Sequence, residues 1–539
     1  MVFRSNVRKD HTVDAQPPKS AAFPPLQRRR AFRIPVALFV LAGIAALILA
    51  FYGIEHWRGH HAWKKHERQL LARGEPLDHK AMLPKAVPDK QNFAATPFVV
   101  SWFVRPTSEA NVWNDGYVKT AEAMGKRQEK PSRDFIDLET WQRGFNTHAP
   151  ITPEKRRGQT NENRADSQPR RAAAHAILES MEDSEARLSE LRAASARPHA
   201  VYPVQYQDDV WGILLPHLRY LKSACARLQL RACAALATGD SAAAFDDVKL
   251  MLYLADSVKD EPYLISFLVR GNCRELAIET IWEGLAQRAW SETQLQQLQA
   301  HVQRYECRES LKRALQAEHA ASLITPELAR KYGVNYLLKL SDAPSNEFVS
   351  PPASAVTGYL IPSGWVYLEK LNCSRSFYKQ QRPLLDESGS MKAHVSPADV
   401  TASAAEVRRE LKVGLFRVLW NHKLFAGFLV PPLGKVSLRA AKAQASTDHA
   451  VLACALERCR LANGAFPERL EALIPKFMAR LPNDFLTGES YKYRRTNDGR
   501  FILYSVGWNE TDDGGVPGEQ LYDENQGDWT WSYPRRPSR

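Results

Sequence analysis

Two histidines near the N-terminus have the spacing of a metal-binding pair. His56 and His60 are four residues apart, which places both on one face of a helix. A protein metal centre needs at least a third ligand, and none follows at a suitable spacing. The sequence therefore favours polar residues at a membrane interface over a metal site.

Catalytic motifs and paired cysteines are the next candidates for chemistry. GxSxG and HExxH do not occur, and SxxK does not occur in a fitting context. The seven cysteines form no CxxC. Cys225 and Cys233 stand about 12 Å apart on one predicted helix, too far for a disulfide, and Cys454 and Cys459 are also badly placed. We predict that the cysteines are buried and act as small apolar residues. A long-range disulfide is the alternative if the domain is exported.

An uncharged segment near the N-terminus sets the compartment of everything that follows it. Residues 34–54 contain no charged residue, and as a helix they would extend about 30 Å, the thickness of the hydrocarbon core of a bilayer. Trp57 and Trp63 follow at interface depth. The long charged region before this segment and the lack of a small-x-small site favour an uncleaved signal anchor over a cleaved signal peptide.

Basic residues concentrate before this predicted transmembrane helix. Residues 1–33 carry eight of them against Asp10 and Asp14, nearly half of the formal excess of +13. By the positive-inside rule the N-terminus is cytoplasmic and the bulk is exported, so we expect a single-pass protein of the bacterial inner membrane with a periplasmic body. No aromatic residues alternate with the basic ones, here or in the linker-like residues 155–171, so we expect no nucleic-acid partner.

Helical periodicity dominates the middle of the chain and predicts a mainly α fold. Apolar residues recur at steps of three and four, Gly239 ends one helix, and Ser291 with Gln294 forms a capping box. Short turns force antiparallel neighbours, which predicts a helical bundle or an array of αα-hairpins. Residues 359–369 are predicted to be a hairpin or strand pair around Pro362, and a helix is expected over residues 402–428.

The predicted divisions of the chain follow from these patterns. In order they are a cytoplasmic basic tail (1–33), a transmembrane helix (34–54), a juxtamembrane and irregular segment (55–171), a helical body (172–340), a loop-rich segment with a helix (341–437) and a small C-terminal α+β domain (438–539).

The C-terminal domain carries the most specific pattern. A long helix runs from Leu438 to about residue 462 and ends at Asn463-Gly464, and Pro467 opens a short helix. Two strands, 491–495 and 501–506, are joined by a turn that ends in Asp-Gly, which is good hairpin chemistry. An acidic, glycine-containing loop and the segment GDWTW close the domain.

This order of motifs resembles the soluble domain of the major pseudopilins of bacterial type II secretion systems. That family has, in order, the motifs LxxGxYP, LPxDPWGxPYxY and LYSxGxDG, an acidic glycine-rich loop and a terminal DxxxW. The resemblance extends over about ninety residues of this chain, and the corresponding segments are residues 461–467, 481–493, 503–507 and 528–531. The hydrophobic helix lies some four hundred residues upstream and lacks GFxxxE. We therefore expect a different membrane protein with a pseudopilin-like module, and the whole chain resembles a family of anchored bacterial proteins bearing this tail.

The resemblance implies a calcium site in the acidic loop. Ca²⁺ takes about six to eight hard oxygen ligands, which an Asp- and Asn-rich loop with glycines can offer. In this chain Asn509 stands where the family has the Asp of GxDG, and the acidic residues of the loop are spaced differently from those of the family. An ordinary solvated turn is therefore the alternative. The residues implied as ligands are Asn509, Asp512, Asp513 and Asp528.

The leading functional hypothesis is a non-enzymatic, membrane-anchored envelope protein. Its calcium-stabilised, pseudopilin-like module would contact protein partners in the cell envelope, and the resemblance implies an association with secretion. The alternatives are an exported hydrolase and a solute-binding ectodomain whose sites cannot be recognised in the sequence.

Overall fold

The computed structural model describes residues 33–104, 133–147, 168–207, 209–305, 307–340, 351–412, 417, 420–430 and 433–533. Over these ranges the protein is mainly helical with one small antiparallel sheet, which confirms the predicted fold class at that level. Residues 1–32 of the predicted tail and residues 155–167 of the basic linker lie outside the described residues.

The elements are numbered in chain order. The α-helices are α1 (Arg33–Ala72), α2 (Pro97–Val100), α3 (Leu138–Thr147), α4 (Gln168–Ser180), α5 (Glu185–Ala194), α6 (Pro216–Thr238), α7 (Ser241–Asp256), α8 (Leu264–Ala286), α9 (Glu292–Gln303), α10 (Cys307–Tyr332), α11 (Val334–Leu340), α12 (Pro351–Tyr359), α13 (Ser363–Gln381), α14 (Pro397–Leu411), α15 (Leu424–Leu429) and α16 (Leu433–Asn463). The strands are β1 (Lys492–Arg495), β2 (Phe501–Ser505) and β3 (Trp529–Trp531).

Helix α1 is one unbroken helix with two different halves. Its N-terminal half is apolar and exposed, whereas Trp63 and Leu70 in its second half are buried. The helix is long and apolar enough to cross a membrane, which confirms the sequence prediction at that level. It ends before Gly74, whose φ of 72° is the left-handed conformation that glycine adopts readily.

The second half of α1 packs against α13 at a contact between two glycines. A Cβ atom built on Gly59 would overlap the carbonyl oxygen of Gly364, and one built on Gly364 would overlap the carbonyl oxygen of Glu55. Backbones can approach this closely only where neither residue carries a side chain. The two glycines therefore set the distance between the helices.

The helical body confirms the sequence signals at its helix ends. Gly239 ends α6 in the left-handed conformation, with φ 90°. Asp240 accepts a hydrogen bond from the Ala243 amide at 2.9 Å and begins α7. Ser291 and Gln294 form the predicted capping box of α9.

All seven cysteines are buried, and none forms a disulfide. The prediction of small apolar core residues is therefore confirmed, and the long-range bridge is not formed. Cys225 lies at the contact of α6 with α7, in the same core as Cys273 of α8.

The prediction of a hairpin at residues 359–369 is wrong. Helix α12 ends at Tyr359, and α13 begins at Ser363, after Pro362 in the N-cap position. The residues that suggested strands pack along helices instead, since the ring of Tyr367 meets His60 of α1 edge-on. The helix predicted over 402–428 also differs: α14 already ends at Leu411, and α15 is separate.

The C-terminal strands pair as predicted. Strands β1 and β2 are antiparallel, with Tyr493 opposite Leu503. The segment GDWTW adds a third antiparallel strand, which places Trp531 on the other side of Leu503. The sheet order is β1-β2-β3, so β1 is an edge strand of the sheet that the described residues form.

One hydrophobic core joins the C-terminal region to the helical body. Helix α16 packs against α8 and α9, and it buries Leu452 and Leu456 in the same core as Trp282 of α8. Leu503 of β2 and Trp531 of β3 belong to that core as well. The sheet is thus held in place through α16.

We predict that Gly364→Ala destabilises the protein. The added methyl group has no room against the backbone of α1, and overpacking of this kind typically costs about 1–3 kcal/mol. Urea unfolding of the detergent-solubilised full-length chain, followed by tryptophan fluorescence, measures the change.

The matched control is Gly271→Ala in α8, where the new methyl group would make only an ordinary contact with Ala443 at 3.9 Å. Alanine is the better helix former, so this variant is expected to be neutral or more stable by about 0.5–1 kcal/mol. Equal effects of the two substitutions would contradict the close contact between α1 and α13.

Candidate functional site

Asp528 lies beneath the acidic loop and holds its backbone. The side chain is buried, and its two carboxylate oxygens accept hydrogen bonds from the amides of Asp513 (3.2 Å) and Gly515 (2.5 Å). Burial raises the pKa of Asp528, the two amides oppose this, and the charges of Asp512 and Asp513 add to the rise. Asp528 therefore shapes the loop from inside.

The side chain of Asp512 connects the acidic loop to the edge of the sheet. Its carboxylate lies 3.2 Å from the Nζ of Lys492 on β1, and both side chains are about half exposed. It also accepts a hydrogen bond from the Gly514 amide at 3.0 Å, and this bond together with Lys492 keeps the pKa of Asp512 below its usual value. Because the pair is solvated, its contribution to stability is small.

Asn509 and Asp513 line an open cavity of about 610 Å³ in the acidic loop. Hydroxyl, amide and carboxylate groups accompany them there, and such oxygens are the donors that calcium prefers. The residues fit calcium in donor type. The other lining residues with oxygen-bearing side chains are Thr511, Glu519, Asn525 and Gln526.

The four residues implied as calcium ligands thus take three positions. Two face one cavity, Asp512 pairs with β1, and Asp528 supports the loop. Across the part of the chain that is described, no three His, Cys, Asp or Glu side chains converge closely enough to hold a metal ion. Any cation in this loop would therefore rely on amide, hydroxyl or backbone oxygens as well as on carboxylates.

The N-terminal histidine pair contacts α13. The rings of His56 and His60 are stacked with their centroids 5.7 Å apart, and both meet the ring of Tyr367 edge-on. The Nδ1 atom of His56 lies 2.8 Å from the hydroxyl of Ser363. The pair is therefore held by packing against α13.

A second cavity lies beside α16, near the segment that leads into β1. It measures about 360 Å³, and its lining includes Asp448, Arg308 and Arg480. Asp448 accepts hydrogen bonds from the hydroxyl of Tyr491 (2.9 Å) and the amide of Gln444 (3.0 Å). Burial raises the pKa of Asp448 to about 7. The cavity therefore combines two guanidinium groups with a carboxyl that changes charge near neutral pH.

A buried polar network ties the acidic loop to the body. The guanidinium of Arg133 lies 2.7 Å from Glu275 and donates to the hydroxyl of Ser446 at 2.7 Å. It also donates to the hydroxyl of Tyr522 at 3.3 Å and stacks 5.0 Å over the ring of Trp531. The network thereby connects α8, α16 and the segment before β3.

Ser374 lies between two histidines, an arrangement that resembles a nucleophile beside a base. Its hydroxyl lies 2.9 Å from the Nε2 atoms of both His66 and His319. Burial, together with the charge of His66, lowers the pKa of His319 to about 3, so His319 stays neutral. Ser374 itself is fully buried, and a substrate could not reach it without an opening of α1 from α13. This arrangement therefore connects α1, α10 and α13 rather than forming an open active site.

Sequence reasoning missed these three polar clusters, two of them for one shared reason. Arg133, Glu275 and Tyr522 are more than a hundred residues apart in the chain, and no local spacing relates them. The same holds for His66 and Ser374. Only for Asp448 was a signal present, since an aspartate within the apolar face of a predicted helix is unusual.

Comparison with known protein families, with curated proteins and with solved structures gives no match to this chain. The class of protein is therefore defined by the structure alone. It is a mainly helical protein with one N-terminal helix that is long and apolar enough to cross a membrane, and with a small C-terminal antiparallel sheet.

We predict that Asp448→Asn changes the pH dependence of stability. The pKa of Asp448 is about 7 in the folded protein and about 3.9 in an unfolded chain. Between these values the folded state binds more protons, so this group lowers the free energy of unfolding as the pH rises from about 4 to 7. This decrease is absent in the variant. The change in the free energy of unfolding between pH 4.5 and pH 7.5, measured by urea unfolding, is therefore expected to differ between variant and wild type by on the order of 1–3 kcal/mol.

The control for this measurement is Asp246→Asn, which neutralises an exposed carboxylate on α7. It is expected to leave the pH dependence of the wild type unchanged. If Asp448→Asn follows the wild-type pH curve in the same way, the carboxyl is not protonated in the folded protein.

Proposed function

We propose that this protein is a non-enzymatic, single-pass protein of the bacterial inner membrane with an exported body. Residues 172–340 form a helical bundle, and the C-terminal α+β region is a pseudopilin-like module that contacts protein partners in the cell envelope. An association with secretion is part of this proposal.

The continuity of α1 supports the anchored arrangement. The apolar, exposed half of this helix continues without a break into the half that packs on α13. A membrane segment of this kind holds the body at a fixed distance from the bilayer, unlike a flexible linker. Partners of such a protein would be other components of the same envelope.

The edge strand β1 is the observation that carries the interaction proposal. Within the described sheet β1 has a neighbour on one side only, and its residues are largely exposed. An edge strand offers unpaired backbone groups to an incoming segment. Lys492 and Arg494 of β1 contact the acidic loop, through Asp512 and the carbonyl of Gly514. The strand and the loop therefore form one surface.

Site-specific photo-crosslinking in cells that produce the protein tests this surface. A photoreactive residue placed at Arg494 or at Val516, which is 60% exposed in the acidic loop, is expected to give the same discrete adducts with envelope proteins. The control position is Glu182, which is exposed on the helical body.

Adducts at Arg494 and Val516 but not at Glu182 would support the proposed surface. Equal labelling at all three positions would indicate nonspecific contact, and the absence of adducts at Arg494 and Val516 would contradict the proposal.

We further propose that calcium stabilises the acidic loop. Asn509 and Asp513 would hold the ion at the loop cavity, and Asp528 would keep the backbone of Asp513 in place. Calcium would neutralise the charge concentrated in this loop. Asp512 would act through Lys492 rather than on the ion.

We predict that calcium raises the melting temperature of the full-length protein in detergent. A ligand that binds only the folded state stabilises it by about 2.7 kcal/mol at a hundredfold excess over its dissociation constant. Asp513→Asn is expected to abolish the rise, whereas Asp512→Asn should retain it. No rise in millimolar calcium would leave the loop as an ordinary solvated turn, whereas an equal loss in both variants would place Asp512 on the ion and contradict its assignment to Lys492.

A solute-binding body is the second candidate function, and one observation favours it. The cavity of about 360 Å³ beside α16 is lined by Arg308 and Arg480 together with Asp448. Guanidinium groups recognise carboxylates, so a small carboxylate-bearing solute fits this cavity in charge.

A further inference from the structure

The turn between α12 and α13 lies at the same level as the end of the apolar segment of α1. The hydroxyl of Tyr52 donates to the carbonyl of Leu360 at 2.5 Å, and His56 meets Ser363 four residues further along. His66 and Ser374 are in contact still further along both helices. Helices α1 and α13 therefore run parallel, and α13 begins beside the end of the apolar segment of α1.

This register fixes the depth of the turn relative to the bilayer. Tyr52 belongs to the uncharged segment 34–54 and precedes its end by two residues, a rise of about 3 Å along a helix. If that segment crosses the membrane, the carbonyl of Leu360 that accepts from Tyr52 lies near the level at which the segment leaves the hydrocarbon.

The turn and the helix before it have the composition that such a position needs. No charged residue occurs between Glu347 and Glu369. Val356 (58%), Tyr359 (63%) and Leu360 (66%) nevertheless leave most of their side chains exposed. Apolar side chains clustered on a surface mark a place where another apolar phase makes contact.

Aromatic and basic residues border these apolar side chains. The guanidinium of Arg330 lies 5.7 Å from the centre of the Tyr359 ring, and its Nε donates to the carbonyl of Ile361 at 3.4 Å. Trp57 on α1 is 70% exposed, and Trp420 is 74% exposed. Trp420 is close to α1 because His422, two residues further along the chain, contacts Arg58 of that helix. Tryptophan, tyrosine and arginine are typical of the headgroup level of a bilayer.

We propose that the turn at Leu360–Pro362, with Val356 and Tyr359, inserts into the leaflet of the membrane on the side of the body. The occupant of this surface is the lipid of the bilayer that α1 crosses, so the inference rests on the proposed anchoring by α1. The body then touches the membrane at two places, and it cannot rotate freely about the axis of α1.

Fluorescent labelling of the full-length protein in liposomes tests this contact. The seven native cysteines are buried, so an environment-sensitive NBD label is directed to one introduced cysteine at a time. Leu360→Cys is the test position, Tyr359→Cys is a second one, Leu47→Cys on α1 is the membrane control, and Val516→Cys is the aqueous control. All four residues are more than half exposed in the protein.

Labels at 359, 360 and 47 are expected to emit at shorter wavelength than the label at 516. Lipids with a doxyl group near the headgroup should quench the labels at 359 and 360, and lipids with a doxyl group deep in the acyl chain should quench the label at 47. Aqueous iodide should quench all three labels severalfold less than the label at 516. Strong iodide quenching at 359 and 360 with protection at 47 would overturn the insertion of the turn and leave the anchor intact. Strong iodide quenching at 47 as well would overturn the proposed anchoring itself.

Discussion

The close contact of Gly59 with Gly364 is the constraint that joins the apolar helix α1 to the rest of the protein. It brings the backbones of α1 and α13 nearer than side chains would allow. Only at that distance can Tyr52 reach the carbonyl of Leu360 and His56 reach Ser363. The apolar helix is consequently packed against the body through its second half.

Buried ion pairs provide a similar connection between other parts of the protein. Arg133 with Glu275, and Arg170 with Glu283, join segments that hardly share local contacts, and all four groups but Glu275 are almost completely buried. Burial of such charges is costly, and removal of one partner typically costs about 3–5 kcal/mol. These pairs therefore specify which segments lie together more than they add stability. Through Arg133 the acidic loop and α16 are held to the body.

The acidic loop shows how one cluster of carboxylates divides into separate tasks. Asp528 is buried and organises the backbone, Asp512 is solvated and pairs with β1, and Asp513 faces the cavity with Asn509. The difference lies in burial and in the partners each side chain meets. The surface that results, an edge strand joined to a loop, is the basis of the proposed contact with envelope proteins.

Local chemistry in the sequence was enough for several elements. The apolar segment of α1, the end of α6 at Gly239, the capping box at Ser291 and the hairpin before Phe501 were all predicted correctly. Each depends on interactions within a few residues or on composition alone. The predicted calcium ligands came from a resemblance, and the structure places them without testing the ion.

Tertiary structure alone decided the elements whose surroundings come from distant parts of the chain. Residues 359–369 became a turn and a helix because α1 and α10 offer them a packing surface, which the local pattern could not reveal. The raised pKa of Asp448, the contact of Ser374 with two histidines and the network around Arg133 follow from burial. The sequence by itself determined helix ends, a hairpin and an apolar segment, because those depend on neighbours along the chain. Which polar groups lose their water depends on neighbours in space, and only the folded chain supplies these.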